Sequence, residues 1–211
     1  MFEFESILRI QLEVFLAMSQ EIEIEVKSMI TKENYHELLK GFNLTEADAI
    51  VQHNHYFETP SFSLKATGSG LRIREKKGIF TLTLKQPHEV GKLETHQVVS
   101  HDEWLNAKDN CILPDGKVMN QLRNLKIPTD QLQFVGTLTT KRIEINYEEG
   151  QLCFDQSSYF DQIDYEIEFE GKTEHHAKST LLQLLSSYGL EQTPTHNKVR
   201  RFFNTKYKKQ A

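Results

Sequence analysis

The stretch EIEIEVK, residues 21–27, constrains the fold of this chain more than any other. It alternates without a break, so one face carries Glu21, Glu23, Glu25 and Lys27 while isoleucine and valine fill the other. A period of two is the repeat of a β-strand, in which successive side chains point to opposite faces. The pattern therefore predicts a strand that gathers three carboxylates and one ammonium on a single face.

Later segments show the same division into an apolar and a charged face. GLRIRE carries a pair of arginines on its charged face, and DYEIEFE carries a row of glutamates. The residues on these charged faces include Arg72, Arg74, Lys85, Glu94, Asp155, Glu166 and Glu168. One face of an antiparallel sheet often meets water, which is the simplest explanation for any single strand. Like charges two residues apart repel, however, so blocks of one sign favour a bound ligand that compensates them.

Short helices and turns separate the predicted strands. Thr31 suits the N-cap of a first helix, Ser100 and Glu103 form a capping box for another, and Gly189 suits the end of a later one. Lys77-Gly78 fits the turn of a hairpin. If the helices cover the outside of a closed sheet, the charged faces point into its lumen. We therefore predict a mainly β (α+β) fold, an antiparallel barrel or strongly curved sheet with helices packed outside.

Composition narrows the classes of function. With 211 residues the chain can bury a full core, and we predict one domain over residues 18–211. A net charge of -5 provides no general basic field, so we expect no nucleic-acid partner. Two cysteines suit a reducing cytosol better than a disulfide framework. We expect a cytoplasmic protein without membrane attachment, either a monomer or a homodimer.

The first residues are apolar but carry several charges. Residues 1–17 contain no charge-free run long enough to span a bilayer, and they lack the basic region of a signal peptide. Phe4, Leu8 and Leu12 have helical spacing. In one interpretation these residues form a short amphipathic helix or a frayed extension. In the other the working protein begins at Met18, and the sequence leaves both open.

The charged faces combine the two residue types that bind phosphate and metal. Arginine and lysine bind phosphate oxygens, whereas clustered carboxylates hold hard divalent cations such as Mg²⁺, which bridge phosphate oxygens in turn. The sequence contains no Walker A motif or glycine-rich phosphate loop. Side chains would therefore have to bind a polyanion that arrives together with metal.

The residues in this order resemble a known family. Glu23, Glu25 and Lys27 form an ExExK motif that is similar to the signature of the CYTH superfamily, the triphosphate tunnel metalloenzymes. The resemblance extends over about residues 21–203, through HYFETP, LRIRE, TLTLKQP, ETHQ, TTKRIE, YEIEFE and HNKVRRF. The whole chain most resembles the small stand-alone CYTH proteins of Gram-positive bacteria. The resemblance implies a closed antiparallel eight-stranded β-barrel tunnel and divalent-metal-dependent hydrolysis of triphosphates.

The resemblance also implies a role for individual positions. The implied metal ligands, for Mg²⁺ or Mn²⁺, are Glu23, Glu25, Glu166 and Glu168. The implied substrate-binding residues are Lys27, Arg72, Arg74, Lys85, Arg142 and Lys198. The implied catalytic residues are Lys27, Lys85 and Asp155, and Glu94 is an additional acidic tunnel position. Glu58 stands where many members have aspartate, and we leave it outside the predicted site.

The expected partner is a triphosphate-bearing small molecule. Inorganic triphosphate, thiamine triphosphate and nucleoside triphosphates are all substrates within the family. Adenylate cyclase activity is one alternative, and a non-catalytic polyphosphate- or nucleotide-binding module is another. The sequence keeps both the acidic and the basic set, which favours hydrolysis, because a pure anion binder would not need so many carboxylates.

Overall fold

The computed structural model describes residues 20–208, so the predicted N-terminal helix or extension lies outside the described residues. The strands are β1 (Gln20–Glu23), β2 (Glu25–Ile30), β3 (Ile50–Glu58), β4 (Gly70–Lys76), β5 (Ile79–Pro87), β6 (Lys92–Val99), β7 (Gln133–Tyr147), β8 (Gly150–Tyr159) and β9 (Gln162–Glu170). The helices are α1 (Lys32–Gly41), α2 (Ser63–Ala66), α3 (His101–Asn110), α4 (Lys117–Asn124), α5 (Glu174–Ser187) and α6 (Lys198–Lys208). The prediction of a mainly β protein with several helices is confirmed. None of the helices between residues 20 and 208 is long and apolar enough to cross a membrane.

The described residues form two compact units. The first unit contains residues 20–22 and 54–136, and its strands follow the order β1-β6-β5-β4-β3. The second unit contains residues 23–53 and 137–208, with the order β7-β8-β9-β2. The pairs β4–β5 and β5–β6 of the first unit, and β7–β8, β8–β9 and β2–β9 of the second, are antiparallel. The single domain over residues 18–211 and the closed eight-stranded tunnel stay predictions.

The predicted first strand is interrupted at Ile24. Its first part, β1, lies beside β6 in the first unit, and its second part, β2, pairs with β9 in the second unit. The alternation of faces is kept in β2. The Lys27 ammonium contacts the carboxylate of Glu25, two residues earlier, at 2.5 Å, which shows that the two side chains share a face. A period of two predicts which face a residue occupies but carries no information on strand partners. The interruption was therefore missed.

Each unit buries the apolar face of its sheet beneath its own helices. In the first unit Ile73 and Leu82 of the sheet share a core with Leu122 of α4. In the second unit Ile167 of β9 shares a separate core with Leu181 of α5. Burying one such side chain contributes about 1.5–3 kcal/mol. Because helices cover the apolar faces, the alternate residues of the same strands, including the charged ones, point away from these cores.

The predicted caps and the predicted hairpin turn are confirmed. The Thr31 hydroxyl accepts a backbone N–H at the start of α1, at 3.1 Å. The backbone N–H of Glu103 donates to the Ser100 hydroxyl at 3.1 Å, and the Glu103 carboxylate accepts the backbone N–H of Ser100 at 2.7 Å. Lys77 and Gly78 both have positive φ, 53° and 76°, as a tight hairpin turn requires. These features depend on neighbouring residues, which is why the sequence was sufficient to predict them.

The sequence did not predict the short helix α2, and Glu58 explains why it forms. The buried Glu58 carboxylate accepts three backbone N–H groups, from Thr59 at 2.8 Å, Leu64 at 3.0 Å and Lys65 at 2.9 Å. A carboxylate that accepts N–H groups at the start of a helix satisfies donors that would otherwise have no acceptor. The carboxylate in HYFETP therefore holds the segment that follows it.

Replacement of Glu58 should destabilise the protein. We expect Glu58→Ala to lower the free energy of unfolding by about 2 kcal/mol or more, because buried N–H groups lose a charged acceptor. Urea unfolding followed by circular dichroism measures the loss. Glu89→Ala, which removes an exposed glutamate from the same unit, is the control and should have almost no effect. Equal stability of the two variants would contradict the capping role.

Candidate functional site

Strand register in the second unit brings three carboxylates together, here called the carboxylate cluster: Asp155, Glu166 and Glu168. Asp155 of β8 pairs directly with Glu166 of β9, and Glu168 lies two residues further along the same face of β9. The three residues are 0%, 0% and 4% exposed. One carboxylate oxygen from each lies within 4.8 Å of the others, so a single cation can contact all three.

A lysine ammonium stands at the shared centre of the carboxylate cluster. Lys198 Nζ lies 2.7 Å from Asp155 Oδ2, 2.5 Å from Glu166 Oε1 and 2.8 Å from Glu168 Oε1. A small cation therefore fits among these oxygens. Carboxylate oxygens are also the donors that hard divalent cations prefer. The residues present thus fit a divalent metal ion, and Lys198 shows where its positive charge would lie.

Two further basic residues bind the cluster from β7 and β2. Arg142 donates to both oxygens of Asp155, at 2.7 and 2.5 Å, and also to Glu168. Lys27 donates to Glu168 at 3.0 Å and to Glu25 at 2.5 Å. Register explains these contacts, since Arg142 lies opposite Asp155 and Lys27 lies opposite Glu168. Glu25 is thereby joined to the cluster through Lys27.

Sequence reasoning missed Arg201, which also contacts the cluster. Its guanidinium donates to Glu166 Oε2 and, through Nε, to Asp164 Oδ2 at 2.8 Å. The available signal was spacing: Arg201 follows Lys198 by three residues on α6, and such residues share a helix face. The helix itself was not predicted, so this spacing could not be used.

Burial and ion pairing shift the ionisation of the cluster in opposite directions. Burial alone would raise the pKa of Asp155, but Arg142 and Lys198 hold it below its usual value. Glu168 behaves in the same way, and its pKa lies well below the usual range because Lys198 and other basic residues outweigh burial. Burial raises the pKa of Glu166 to about 7, although Lys198 lowers it. The pKa of Lys198 would fall on burial, yet the carboxylates raise it, so Lys198 stays charged at neutral pH.

A second charged group lies in the first unit around Glu94. Lys85, opposite Glu94 in the β5–β6 register, places Nζ 2.7 Å from Glu94 Oε1, and Arg72 Nη2 lies 3.7 Å from Oε2. Burial would raise the pKa of Glu94, but Lys85 and Arg72 lower it to about 2. The buried Nε of Arg72 has no acceptor among the described residues. This N–H is therefore available to an anion.

Glu94 also belongs to a second group with the residue types of a metal site, Glu21, Glu94 and His96, which the sequence did not indicate. Its Oε2 lies 3.6 Å from Nε2 of His96, and Glu21 Oε1 lies 3.2 Å from the same nitrogen. The other ring nitrogen of His96 forms a 2.9 Å hydrogen bond with the Thr83 hydroxyl. Alternation placed Glu21 on the charged face, but only the pairing of β1 with β6 brings it to His96.

Two other predicted site residues, Glu23 and Arg74, belong to neither of these charged groups by the contacts described above. Glu23 ends β1 and is partly buried. Arg74 donates through Nε to Asn54 Oδ1 at 2.9 Å, within the first unit. The metal-binding roles of Glu23 and Glu25 stay predictions. Cys153 lies opposite Glu168 in the register, but burial raises the pKa of its thiol to about 12, so it is not a thiolate nucleophile at neutral pH.

Breaking the cluster should destabilise the metal-free protein. We expect Asp155→Asn to lower the free energy of unfolding by about 3 kcal/mol, because Arg142 and Lys198 lose a fully buried counter-ion. Thermal or urea unfolding in EDTA measures the effect. Glu37→Gln, which neutralises an exposed carboxylate of the same unit, should change little. A stable Asp155→Asn protein would show that these ion pairs do not support the fold.

Comparisons with known proteins agree on one family. A model described as CYTH domain matches residues 21–203. The protein named "Putative triphosphatase YjbK" from Bacillus subtilis (strain 168) is 44% identical over 191 residues, which cover 90% of this chain and 99% of that protein.

Solved structures show the same likeness. A crystal structure from Bacillus halodurans, described as a "putative adenylate cyclase", is 50% identical with a TM-score of 0.85, over 88% of this chain and 100% of that chain. HpAC1 from Hippeastrum, whose description reports a dominant triphosphatase activity, has a TM-score of 0.74 at 20% identity, over 87% of this chain and 96% of that chain. The second likeness shows a shared fold alone. The range matched by the family model contains both the carboxylate cluster and the group around Glu94.

Proposed function

Because this chain belongs to the CYTH family, we propose that it hydrolyses a triphosphate in a reaction that depends on a divalent metal ion. The substrate is inorganic triphosphate or an organic triphosphate such as thiamine triphosphate or a nucleoside triphosphate. The observation that carries this proposal is the contact of Lys198 with three buried carboxylates, which marks a cation-binding centre among basic side chains. The closed eight-stranded tunnel and the cytoplasmic location implied by the resemblance are part of the proposal.

The proposed cofactor is Mg²⁺ or Mn²⁺. Glu166 and Glu168 are proposed as its ligands together with Glu23 and Glu25. Asp155 supplies a further buried carboxylate oxygen beside those of Glu166 and Glu168. A metal ion bound there would neutralise phosphate charge and lower the pKa of a bound water. Asp155 is proposed to orient that water or the metal, because its carboxylate is fully buried and fixed by Arg142.

Lys198 is proposed to change partners when substrate binds. In the structure its ammonium contacts the same oxygens that a metal would use, so the two cations compete for them. An ammonium released from the carboxylates can bind a phosphate oxygen instead. Lys198 would thus compensate the carboxylates before substrate binds and the phosphate groups afterwards.

The other basic residues are proposed to hold and stabilise the phosphate groups. Arg142 and Lys27 lie beside the carboxylate cluster, and phosphoryl transfer relies chiefly on such positioning and charge stabilisation. The proposed phosphate-binding residues of the first unit are Arg72, Arg74 and Lys85. The buried, acceptor-free Nε of Arg72 supports this assignment, because a phosphate oxygen would satisfy it. Lys27 and Lys85 are proposed to stabilise charge that develops during the reaction.

Adenylate cyclase activity is the second candidate function. It is favoured by the description of the Bacillus halodurans structure, which is 50% identical to this chain. A cyclase would convert ATP to cyclic AMP and pyrophosphate, whereas a triphosphatase would release phosphate. The products therefore separate the two activities without further assumptions.

Product analysis tests the proposed function. We expect phosphate release from inorganic triphosphate, thiamine triphosphate or ATP with Mg²⁺ or Mn²⁺, and none in excess EDTA. Glu168→Gln should lower kcat at least about a hundredfold, the scale of losing one charge-stabilising group in an active site. Glu37→Gln is the control and should match the unaltered protein. Cyclic AMP with pyrophosphate would support the cyclase, and binding without turnover would support a non-catalytic module.

Lys85 provides a separate test in the first unit. We expect Lys85→Ala to remain folded but to raise KM or lower kcat about tenfold or more, because a phosphate or developing charge loses a cation. Steady-state kinetics and circular dichroism measure both properties. Lys77→Ala changes an exposed lysine of the β4–β5 turn and should leave the kinetics unaltered. Unchanged kinetics in Lys85→Ala would remove this residue from the site.

A further inference from the structure

Arg201 uses all three guanidinium nitrogens in contacts within the second unit. Its Nε donates to Asp164 at 2.8 Å and its Nη2 to Glu166. Its Nη1 donates to the Thr195 hydroxyl at 3.1 Å and to the backbone carbonyl of His196 at 2.6 Å. The side chain is 13% exposed. A guanidinium held in several directions at once has a fixed orientation, because its donors lie in one rigid plane.

The two oxygens of Glu166 are divided between two basic residues of α6. Lys198 binds Oε1 at 2.5 Å, and Arg201 binds Oε2. The Tyr159 hydroxyl donates to Asp164 Oδ2 at 2.6 Å, and Arg201 donates to the same oxygen, so this carboxylate is held by both residues. The hydrogen bond from Lys198, which also contacts the other two cluster carboxylates, goes to the first of the two Glu166 oxygens. Glu166 would therefore hold a metal ion in place of Lys198 through Oε1, because Arg201 binds Oε2.

We propose that Arg201 is a positioning residue that reserves Oε2 of Glu166 and leaves only Oε1 for the metal ion. This inference rests on the proposed function. A catalytic metal needs coordination positions for water and phosphate, and a carboxylate that binds through both oxygens would fill one of them. Arg201 thereby weakens metal binding in two ways, by withholding an oxygen and by placing a positive charge near the ion. In return it keeps Glu166 in a single orientation.

Arginine and lysine differ at this position in a way that separates charge from geometry. A lysine would keep the positive charge but would present one ammonium in place of a planar fork, and so could not hold Asp164, Glu166 and the preceding segment together. Glutamine would lose the charge as well. Arg200 supplies a matched control, because it neighbours Arg201 on α6 and its side chain is exposed.

The test is a titration of the full chain with Mn²⁺ alone, by calorimetry or by the electron paramagnetic resonance signal of free Mn²⁺, together with steady-state kinetics. We expect Arg201→Gln to bind Mn²⁺ about fivefold or more tightly, because a nearby cation is removed and an oxygen is released, while kcat falls. Arg201→Lys keeps the charge but not the planar fork, so its Mn²⁺ affinity should lie between those of the unaltered protein and Arg201→Gln, and its kcat should also be lower. Arg200→Gln should resemble the unaltered protein in both measurements. A residue that only supported the fold would weaken Mn²⁺ binding and lower kcat together.

Several outcomes would overturn the inference. Unchanged or weaker Mn²⁺ binding in Arg201→Gln would exclude the reserved oxygen, and if that variant does not fold, an unaltered kcat in Arg201→Lys would do the same. Glu168→Gln, introduced as a single change, identifies binding at the cluster, because it should abolish the Mn²⁺ binding that the unaltered protein shows there. Cluster binding of Mn²⁺ without hydrolysis would overturn the proposed function alone, and the Arg201 comparison would still be decided by the affinities. Absence of Mn²⁺ binding that depends on Glu168 would overturn both.

Discussion

The contact of Lys198 with three buried carboxylates is the interaction on which the second unit depends. A buried carboxylate without a partner is costly, and three of them close together would repel strongly. Lys198 compensates Asp155, Glu166 and Glu168 at once, at 2.7, 2.5 and 2.8 Å. Because Lys198 is the first residue of α6, this helix has to lie against β8 and β9 for the cluster to stay buried. The position of α6 and the compensation of the buried carboxylates therefore depend on each other.

Stability alone gives little reason to keep such a network. Well-packed apolar residues of similar volume are often as stabilising as buried ion pairs, or more so. In the same strands, alternate positions such as Phe154 and Ile167 already form an apolar core beneath α1 and α5. The charged face that holds Arg142 and Asp155 adds nothing to this apolar core, although its buried carboxylates, once present, require their counter-ions. Buried groups with strongly shifted pKa values are more typical of a site that binds or reacts.

Features that depend on neighbouring residues could be predicted, and features that depend on distant partners could not. Alternation placed Glu166 and Glu168 on one face, and the capping box at Ser100 was evident from local spacing. The break at Ile24 follows from tertiary contacts, and Glu58 reaches backbone N–H groups six and seven residues further along, beyond the spacing of a helix-capping motif. Arg201 was missed for the same reason, since its partners lie on another element. The resemblance supplied candidate residues, but only strand register showed which of them meet.

The balance of charge in the second unit also bears on how a ligand enters. Among the described residues, the network joins the carboxylates of Glu25, Asp155, Asp164, Glu166 and Glu168 to the basic side chains of Lys27, Arg142, Lys198 and Arg201, so positive and negative charges nearly balance. A divalent cation alone would add positive charge beside the basic residues, and a triphosphate alone would add negative charge beside the carboxylates. Either addition is opposed in a poorly solvated site. A metal ion that enters with a triphosphate offsets part of its negative charge, and each finds residues of opposite charge already in place. For a triphosphatase, this predicts that the metal ion and the triphosphate each bind more tightly together than alone.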